Sequence, residues 1–273
     1  MSIKAKINNF AKACGIRPQA VLQTLMFERF LERLSRSRFR QHFVLKGGAL
    51  ISSILGAALR TTMDIDATLT AFPVNEARVL HALQEICAIP LDDDVTFSGF
   101  SAVPIRRDDP YGGLRIRFDA HHKSIVTSLS LDVSAGDAIT PEPILYEWRG
   151  VLDESVCFPL LCYSIETILA EKVETILRRG ETSTRPRNFY DVFALVKNAG
   201  YRRDVFNDAF SSTVLHRNSS ERIKAYKETL AKIEMNPDIR VRWDSYAKEY
   251  PYAGNISLKE TLEIVAELMD SWK

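Results

Sequence analysis

Residues 46–69 read KGGALISSILGAALRTTMDIDATL and organise the rest of the chain. A glycine pair, Gly47-Gly48, follows an apolar run and precedes a short helical pattern, and two aspartates, Asp64 and Asp66, stand near the end of the segment. A turn without side chains lets a phosphate approach the backbone, and a helix N-terminus points N–H groups at that phosphate. Paired carboxylates hold a divalent cation. This order of features predicts a phosphate-handling site.

The two aspartates belong to an alternating pattern. Apolar residues at 63, 65, 67 and 69 alternate with Thr62, Asp64, Asp66 and Thr68, which is the period of a strand with one apolar face. Asp64 and Asp66 are therefore predicted to project from the same face, about 6.6 Å apart along the backbone, where they can hold one ion or flank a pair. Asp-x-Asp alone is a common surface pattern. The buried-strand pattern at residues 43–45 leads into the glycine pair. It favours the interpretation of Asp64 and Asp66 as part of a phosphate-handling site over that of an ordinary surface pattern.

The bulk composition is that of a globular protein. The chain has 273 residues, 46% of them hydrophobic and 26% charged, which predicts a large core and leaves no case for long disorder. Two lobes are expected, because single cores stop growing at about 250–300 residues. With 36 basic and 35 acidic residues, the net charge is +1. Any binding of nucleic acid must therefore come from a local basic patch.

The sequence gives no sign of a membrane segment. No apolar run reaches membrane-spanning length, and the N-terminus has no apolar stretch followed by a small-residue cleavage site. We therefore expect a cytoplasmic protein without a membrane partner.

A third carboxylate candidate lies further along the chain. Strands are predicted at residues 95–105, 114–120 and 124–133. In the last of them, Leu129, Leu131 and Val133 form the apolar face, which places Asp132 on the polar face. The pair Gly136-Asp137 follows. Alone, such an acid is more often a solvated residue at a strand end.

Beyond Pro141 the pattern becomes helical. Ser164 is a plausible N-cap for a helix that Gly180 ends, and Lys172 lies at the edge of its apolar stripe, where it can reach a cleft or be an ordinary surface lysine. Another helix begins near Pro186, and further helices are expected at residues 205–215, 221–233, 243–250 and 258–272. We therefore predict an N-terminal lobe at residues 1–160 and a helical C-terminal lobe at residues 161–273.

Two stretches are rich in arginine. Near the N-terminus, Arg29, Arg33, Arg36, Arg38 and Arg40 are interpreted as a solvated helix face, with an RNA-contacting patch as the alternative. The second stretch has few acids and is the best local site for a polyanion. It contains Arg178, Arg179, Arg185, Arg187, Arg202 and Arg203.

Three separated pieces, KGGAL…RTTMDID, SLSLDVSAGD and IETILAEKVETI…RPRNFYD, together resemble the AbiEii family of nucleotidyltransferase-like toxins. These are the enzyme half of type IV toxin–antitoxin, or abortive-infection, pairs and are related to the MenT toxins. The resemblance runs from the N-terminal helices to about residue 195. It implies an α+β fold, with a polymerase-β-like nucleotidyltransferase lobe built on a mixed sheet and a mainly helical C-terminal lobe.

The resemblance also assigns residues. Gly47 and Gly48 become the phosphate-side turn, and Asp64 and Asp66 the metal-binding carboxylates. The remaining assignments are Thr62 as the hydroxyl residue before Asp64, Asp132 as the acid of the second motif, Lys172 as the lysine of the Ala-Glu-Lys helix, and Asp191 as the aspartate of the Phe-Tyr-Asp turn. Two positions depart from the pattern. Asn188 stands where the family commonly has an acid, and Ala49 where general nucleotidyltransferases use a serine.

The implied chemistry is nucleotidyl transfer from an NTP with Mg²⁺ or Mn²⁺. Asp64 and Asp66 would hold both ions, and Asp132 would bind the ion that activates the acceptor hydroxyl or act as its base. Lys172 would neutralise the triphosphate, and Asp191 would orient Lys172 or the nucleotide. RNA is the expected acceptor, with the tRNA 3′ end leading. The expected partner is an antitoxin that need not touch the toxin, in a system of phage defence.

Two other function classes remain open at this point. One is an NTP-binding interaction protein that acts through a partner, and the other is a small-molecule nucleotidyltransferase. Turnover of NTP separates the first class from an enzyme, and the fate of the transferred label separates the second from an RNA-modifying enzyme.

Overall fold

A computed structural model describes residues 2–60, 62, 64–105 and 112–272. The chain forms two compact units. The first contains Met1–Asp137 and Ile144–Cys162, and the second contains Ala138–Pro143 and Tyr163–Lys273. Thr61 and Met63, which belong to the predicted alternating strand, lie outside the described residues.

All strands of the described chain lie in one mixed sheet of the first unit, as the predicted fold class requires. The seven strands are β1 Phe43–Lys46, β2 Ile65–Leu69, β3 Val95–Ile105, β4 Gly113–His122, β5 Ile125–Ala135, β6 Ile144–Arg149 and β7 Cys157–Cys162. Their spatial order is β3-β4-β5-β2-β1-β7-β6. The pairs β2–β5 and β1–β7 are parallel, and the other neighbours are antiparallel.

The described residues of the first unit also form four helices. They are α1 Ile3–Cys14, α2 Pro18–Arg36, α3 Gly47–Leu55 and α4 Glu76–Cys87. The apolar stripe of α2 is fully buried at Phe30, Leu31 and Leu34. Burial of such side chains contributes about 1.5–3 kcal/mol each and holds the helix in place.

Burial alternates along the two central strands that carry the predicted acids. On β5, Leu129, Leu131 and Val133 are buried and Asp132 is half-buried. On β2, Ile65 and Ala67 are buried while Asp66 lies half-buried between them. The period of two therefore directs the apolar residues into the core and the acids to the opposite face.

The second unit is mainly helical. The helices are α5 Ile165–Arg179, α6 Pro186–Asn198, α7 Arg203–His216, α8 Ser220–Lys224, α9 Tyr226–Met235, α10 Pro237–Glu249 and α11 Leu258–Asp270. Ser164 accepts a hydrogen bond from the backbone N–H of Thr167 and caps α5, as the sequence predicts. In the described chain, none of the helices is both long and apolar enough to span a membrane.

Two predicted helices of this unit have wrong bounds. The helix expected at residues 221–233 is two helices, α8 and α9, interrupted at Ala225. The helix expected at residues 243–250 begins at Pro237 instead. Asn236 accepts hydrogen bonds from the backbone N–H groups of Asp238 and Ile239, and proline suits the first helical position because it needs no N–H partner there.

Candidate active site

Four charged residues form a row across neighbouring strands of the first unit. Lys46 on β1 is paired with Asp66 on β2, Asp66 is paired with Asp132 on β5, and Asp132 is paired with Arg115 on β4. Adjacent strands lie about 4.8 Å apart, and paired residues project from the same face of a sheet. Two carboxylates therefore stand side by side, with a cationic residue on either side of them.

Asp64 lies immediately before β2, because the strand begins at Ile65. It is exposed, and its backbone is joined to Thr62. The Thr62 hydroxyl accepts from the Asp64 N–H at 3.4 Å and donates to the Asp64 carbonyl at 3.3 Å. Thr62 itself is buried. Thr62, the predicted hydroxyl residue, thus fixes the backbone immediately before β2.

The glycine pair packs against this acidic segment. β1 ends at Lys46 and α3 begins at Gly47, whose φ of +66° suits glycine. A Cβ atom on Gly47 would lie 2.7 Å from Cγ of Asp66, and one on Gly48 would lie 2.7 Å from the Thr62 hydroxyl. Both glycines are therefore required by close approach to residues of the acidic segment. The same turn presents the N-terminus of α3, where backbone N–H groups favour an anion.

Lys46 connects the row to another acid, Asp137. Its ammonium donates to Ser134 at 2.9 Å and to Asp137 at 2.5 Å. Asp137 also accepts from Thr68 at 2.7 Å and from Ser134 at 2.6 Å. Burial alone would raise the pKa of Asp137, but the charge of Lys46 and these three hydrogen bonds outweigh burial and hold that pKa well below its usual range. Asp137 is therefore an ionised anchor for Lys46.

Arg115 makes a two-pronged contact with Asp132. Its Nε and a terminal nitrogen donate to the two oxygens of the Asp132 carboxylate, each at 2.7 Å. This bonding and the charge of Asp132 raise the pKa of Arg115 above its ordinary value; burial opposes the shift, and the charges of Asp64 and Asp66 add to it. All three predicted metal-binding carboxylates thus act on one guanidinium.

The second unit holds the other two predicted site residues as an ion pair. Lys172 on α5 lies 2.7 Å from Asp191 on α6, and the side chains are 15% and 0% exposed, respectively. Lys172 also lies 3.4 Å from the amide oxygen of Asn188. An ordinary surface lysine is not fixed against a fully buried carboxylate, so that interpretation is wrong.

The predicted polyanion patch of the second unit is partly neutralised by its own acids. Arg178 lies 2.9 Å from Glu174, and Arg202 lies 2.6 Å from Asp204. Arg185 and Arg203 are exposed. The guanidinium of Arg187 lies 5.9 Å from the centre of the Tyr250 ring. The charge that this patch offers to a ligand is therefore smaller than the count of arginines indicates.

Sequence reasoning missed three residues that the structure joins to the acids, namely Lys46, Arg115 and Asp137. Lys46 immediately precedes the glycine pair and Asp137 follows Asp132 closely, so their positions were visible signals. The one signal for Arg115 in the sequence was its polar position in the alternating pattern of β4. Its partnership with Asp132 depends on the register of β4 and β5, which the sequence does not state.

The predicted carboxylates are of the chemical type that binds a hard divalent cation, but among the described residues they are not arranged as a formed metal site. Within the described ranges, no group of three or more His, Cys, Asp or Glu side chains is arranged to hold a metal ion, and Asp132 is bonded to Arg115. Asp66 and Asp132 nevertheless stand side by side, and Asp64 is two positions from Asp66. Carboxylate oxygens are the ligands that Mg²⁺ and Mn²⁺ prefer.

Comparison with known proteins gives a family and a fold. The family model described as "Nucleotidyl transferase AbiEii toxin, Type IV TA system" matches residues 29–264. The structure of JHP933 from Helicobacter pylori has a TM-score of 0.55 and 18% identity, over 92% of this chain and 90% of that one. A provisionally named nucleotidyltransferase from H. pylori has a TM-score of 0.53 and 17% identity, over 93% and 95%. No curated protein matches significantly. At these identities the structures confirm the predicted fold class.

Proposed function

The chain belongs to the AbiEii family of type IV toxin nucleotidyltransferases, and we propose that it transfers an NMP unit from an NTP to a hydroxyl group of RNA. The tRNA 3′ end is the leading acceptor. In the proposed reaction the acceptor oxygen forms a bond to the α-phosphorus, the bond from that phosphorus to the β-phosphate oxygen breaks, and pyrophosphate leaves. The hydroxyl proton passes to a carboxylate of the site or to water.

The pairing of Asp66 with Asp132 carries this proposal. The two acids come from strands that are 66 positions apart in sequence, yet they are direct partners in the parallel β2–β5 ladder. Like charges placed side by side repel each other, and carboxylate oxygens are the ligands that a hard divalent cation prefers. We assign a divalent cation to Asp64, Asp66 and Asp132. When bound, it would stabilise the charge of the triphosphate and of the leaving pyrophosphate.

The turn at Gly47-Gly48 is assigned to the phosphates. Its backbone N–H groups stand at the N-terminus of α3, where the partial positive charge of a helix end attracts anions. Because Ala49 has no hydroxyl, phosphate contacts from this turn come from the backbone. Thr62 is a positioning residue, since its hydroxyl fixes the backbone of Asp64.

Lys172 is proposed to neutralise the triphosphate as a point charge, and Asp191 to orient Lys172. The 2.7 Å contact and the complete burial of Asp191 support this assignment. A long lysine side chain has many rotamers, so a fixed carboxylate beside it reduces the entropy lost when the ammonium meets a ligand. Asn188 extends the same polar contact to Lys172.

The acceptor and the biological setting belong to the same proposal. Arg185 and Arg203 are exposed on the second unit and support binding of a polyanion such as RNA. As a type IV toxin, the protein has an antitoxin as its partner. We propose that the antitoxin opposes the toxin without needing to bind it, that the pair acts in phage defence, and that transfer takes place in the cytoplasm, where tRNA is abundant.

The test uses each of the four NTPs, labelled at the α-phosphate, with Mg²⁺ and total RNA. We expect one or two of the labelled nucleotides to appear in RNA of tRNA size, and none without the divalent cation. Asp64→Ala should abolish the label, whereas Asp92→Ala, which removes another exposed acid of the first unit, should retain it. Label that reaches only small molecules would contradict the RNA acceptor. Transfer that persists in the Asp64 variant would contradict the assigned site.

A further inference from the structure

Arg115 uses both oxygens of the Asp132 carboxylate. Nε donates to Oδ1 and a terminal nitrogen donates to Oδ2, each at 2.7 Å. This parallel arrangement is the strongest form of a carboxylate hydrogen bond to arginine. The two residues are also direct partners in the antiparallel β4–β5 ladder, so the backbone holds them opposite each other. Each oxygen of the Asp132 carboxylate thus accepts one hydrogen bond from the same guanidinium.

Arg115 can leave this contact without disturbing the core. Its side chain is 38% exposed, against 18% for that of Asp132. The neighbours Leu114 and Ile116 carry the packing of this part of β4, because both are buried. A rotamer change of Arg115 therefore costs one ion pair and little apolar contact.

We propose that Arg115 competes with the divalent cation for Asp132. This inference rests on the proposed function, which assigns the cation to Asp64, Asp66 and Asp132. In the absence of the cation, the guanidinium neutralises the carboxylate that would otherwise stand uncompensated beside Asp66. When the cation arrives, Asp132 exchanges this partner for it, and Arg115 turns to solvent. Arg115 thereby sets the cation concentration at which the site becomes loaded.

The opposite role would be that of a positioning residue that prepares Asp132 as a ligand. The geometry favours competition for two reasons. Each oxygen of Asp132 already accepts a hydrogen bond from the guanidinium, so a cation that binds this carboxylate competes with the guanidinium for the same negative charge. A cation between Asp66 and Asp132 would also lie within about one strand spacing of the guanidinium, where two positive charges repel each other strongly.

The test measures Mn²⁺ binding to the full chain without nucleotide, by following the electron paramagnetic resonance signal of the free ion. Arg115→Gln should bind Mn²⁺ about threefold to tenfold more tightly than the wild-type protein, because one competing ion pair is lost. Arg115→Lys keeps the charge but loses the two-pronged contact. Its affinity for Mn²⁺ should therefore lie between that of the wild-type protein and that of Arg115→Gln. The matched control is Arg117→Gln, which removes the same charge from an exposed residue two positions further on β4 and should bind Mn²⁺ as the wild-type protein does.

The outcomes separate this inference from the proposed function. Asp132→Asn should weaken Mn²⁺ binding, and adding Arg115→Gln to that variant should change nothing more. If binding needs Asp66 and Asp132 but Arg115→Gln leaves it unchanged or weakens it, competition is wrong and the cation site stands. If the wild-type protein binds Mn²⁺ no more tightly than the Asp66 and Asp132 variants do, the proposed cation site and this inference are both wrong. Circular dichroism confirms that each variant is folded.

Discussion

Gly47 and Asp66 approach each other so closely that no side chain fits at Gly47. A Cβ atom there would lie 2.7 Å from Cγ of Asp66 and closer still to Oδ2, and the φ of Gly47 is +66°. The glycine that starts α3 and the acid at the centre of the sheet are therefore one structural unit. The glycine turn and the acidic strand of the segment 46–69 are thus in direct steric contact, in addition to any ligand that both would bind.

Gly47→Ala tests this coupling. The new methyl group must displace the Asp66 carboxylate, so we expect nucleotidyl transfer to fall by at least about a hundredfold, which is the loss typical of a misplaced catalytic group. The matched control is Gly15→Ala, because Gly15 also has a φ of +66° but has nothing within 4 Å of an added Cβ. Gly15→Ala should lose about 1 kcal/mol from the strained backbone, and Gly47→Ala should lose more because its methyl group also clashes with Asp66.

Activity and thermal unfolding of the two glycine variants are measured side by side. Only Gly47→Ala should lose activity. Full activity in Gly47→Ala would mean that the Asp66 carboxylate can move without consequence for the reaction.

The ion pair between Lys46 and Asp137 predicts a pH-dependent contribution to stability. The pKa of Asp137 is lowered in the folded protein, so its contribution is complete above the unfolded pKa near 3.8 and is lost as the pH falls below it. Asp137→Asn should therefore lower the free energy of unfolding by about 2 kcal/mol at pH 7 and by less at pH 3.

Urea unfolding at pH 7, 4 and 3 gives this comparison. Asp94→Asn is the control, because Asp94 forms only an exposed pair with Lys123 at 3.6 Å and should change stability by less than about 0.5 kcal/mol. A deficit of Asp137→Asn that is equal at all three pH values would show that the lost interaction is not ionic.

Local sequence patterns were sufficient to predict the elements whose formation depends mainly on nearby residues. Alternation identified the polar face of β5 that carries Asp132, and the capping residue Ser164 located the start of α5. Pro237 and its capping residue Asn236 were equally visible in the sequence, yet the helix was predicted to begin later, at residue 243. The resemblance to a known family then indicated which of the many acids belong to the candidate site.

Pairings between distant residues were beyond such patterns. Arg33, interpreted as part of a solvated helix face, is 2% exposed and donates to both oxygens of Asp93 at 2.7 and 2.9 Å. Its partner lies 60 positions away, so nothing near Arg33 in the sequence marks it as buried. The contacts of Arg115 and Lys46 were missed for the same reason, since strand order and register decide which charges meet.

A buried acid away from the site predicts a second pH effect. Glu28 on α2 accepts a hydrogen bond from the backbone N–H of Val151 at 2.5 Å, and burial raises its pKa to about 8; the Val151 bond and Arg29 oppose this shift, and Glu32 adds to it. Between pH 4.5 and 8 the unfolded chain is ionised at this residue while the folded protein is not. The free energy of unfolding should therefore fall as the pH rises through this range.

Glu28→Gln removes the titration and keeps an acceptor for Val151. We expect the variant to gain stability relative to the wild-type protein as the pH rises from 5 to 8, by a few kcal/mol over the range. Glu154→Gln, which changes an exposed acid of the same unit, should show no such trend. If the stability of Glu28→Gln and that of the wild-type protein vary with pH in parallel, Glu28 is already ionised in the fold.

The most direct measurement is the single-turnover rate of transfer from the preferred α-labelled NTP by Asp132→Asn, beside Asp119→Asn. Asp119 lies on β4 and bonds to Ser128, away from the paired acids. If Asp66 and Asp132 form the reaction site, Asp132→Asn should be slower by about a thousandfold while remaining folded, and Asp119→Asn should stay within about twofold of the wild-type rate. A rate for Asp132→Asn within about tenfold of the wild-type value would contradict the account.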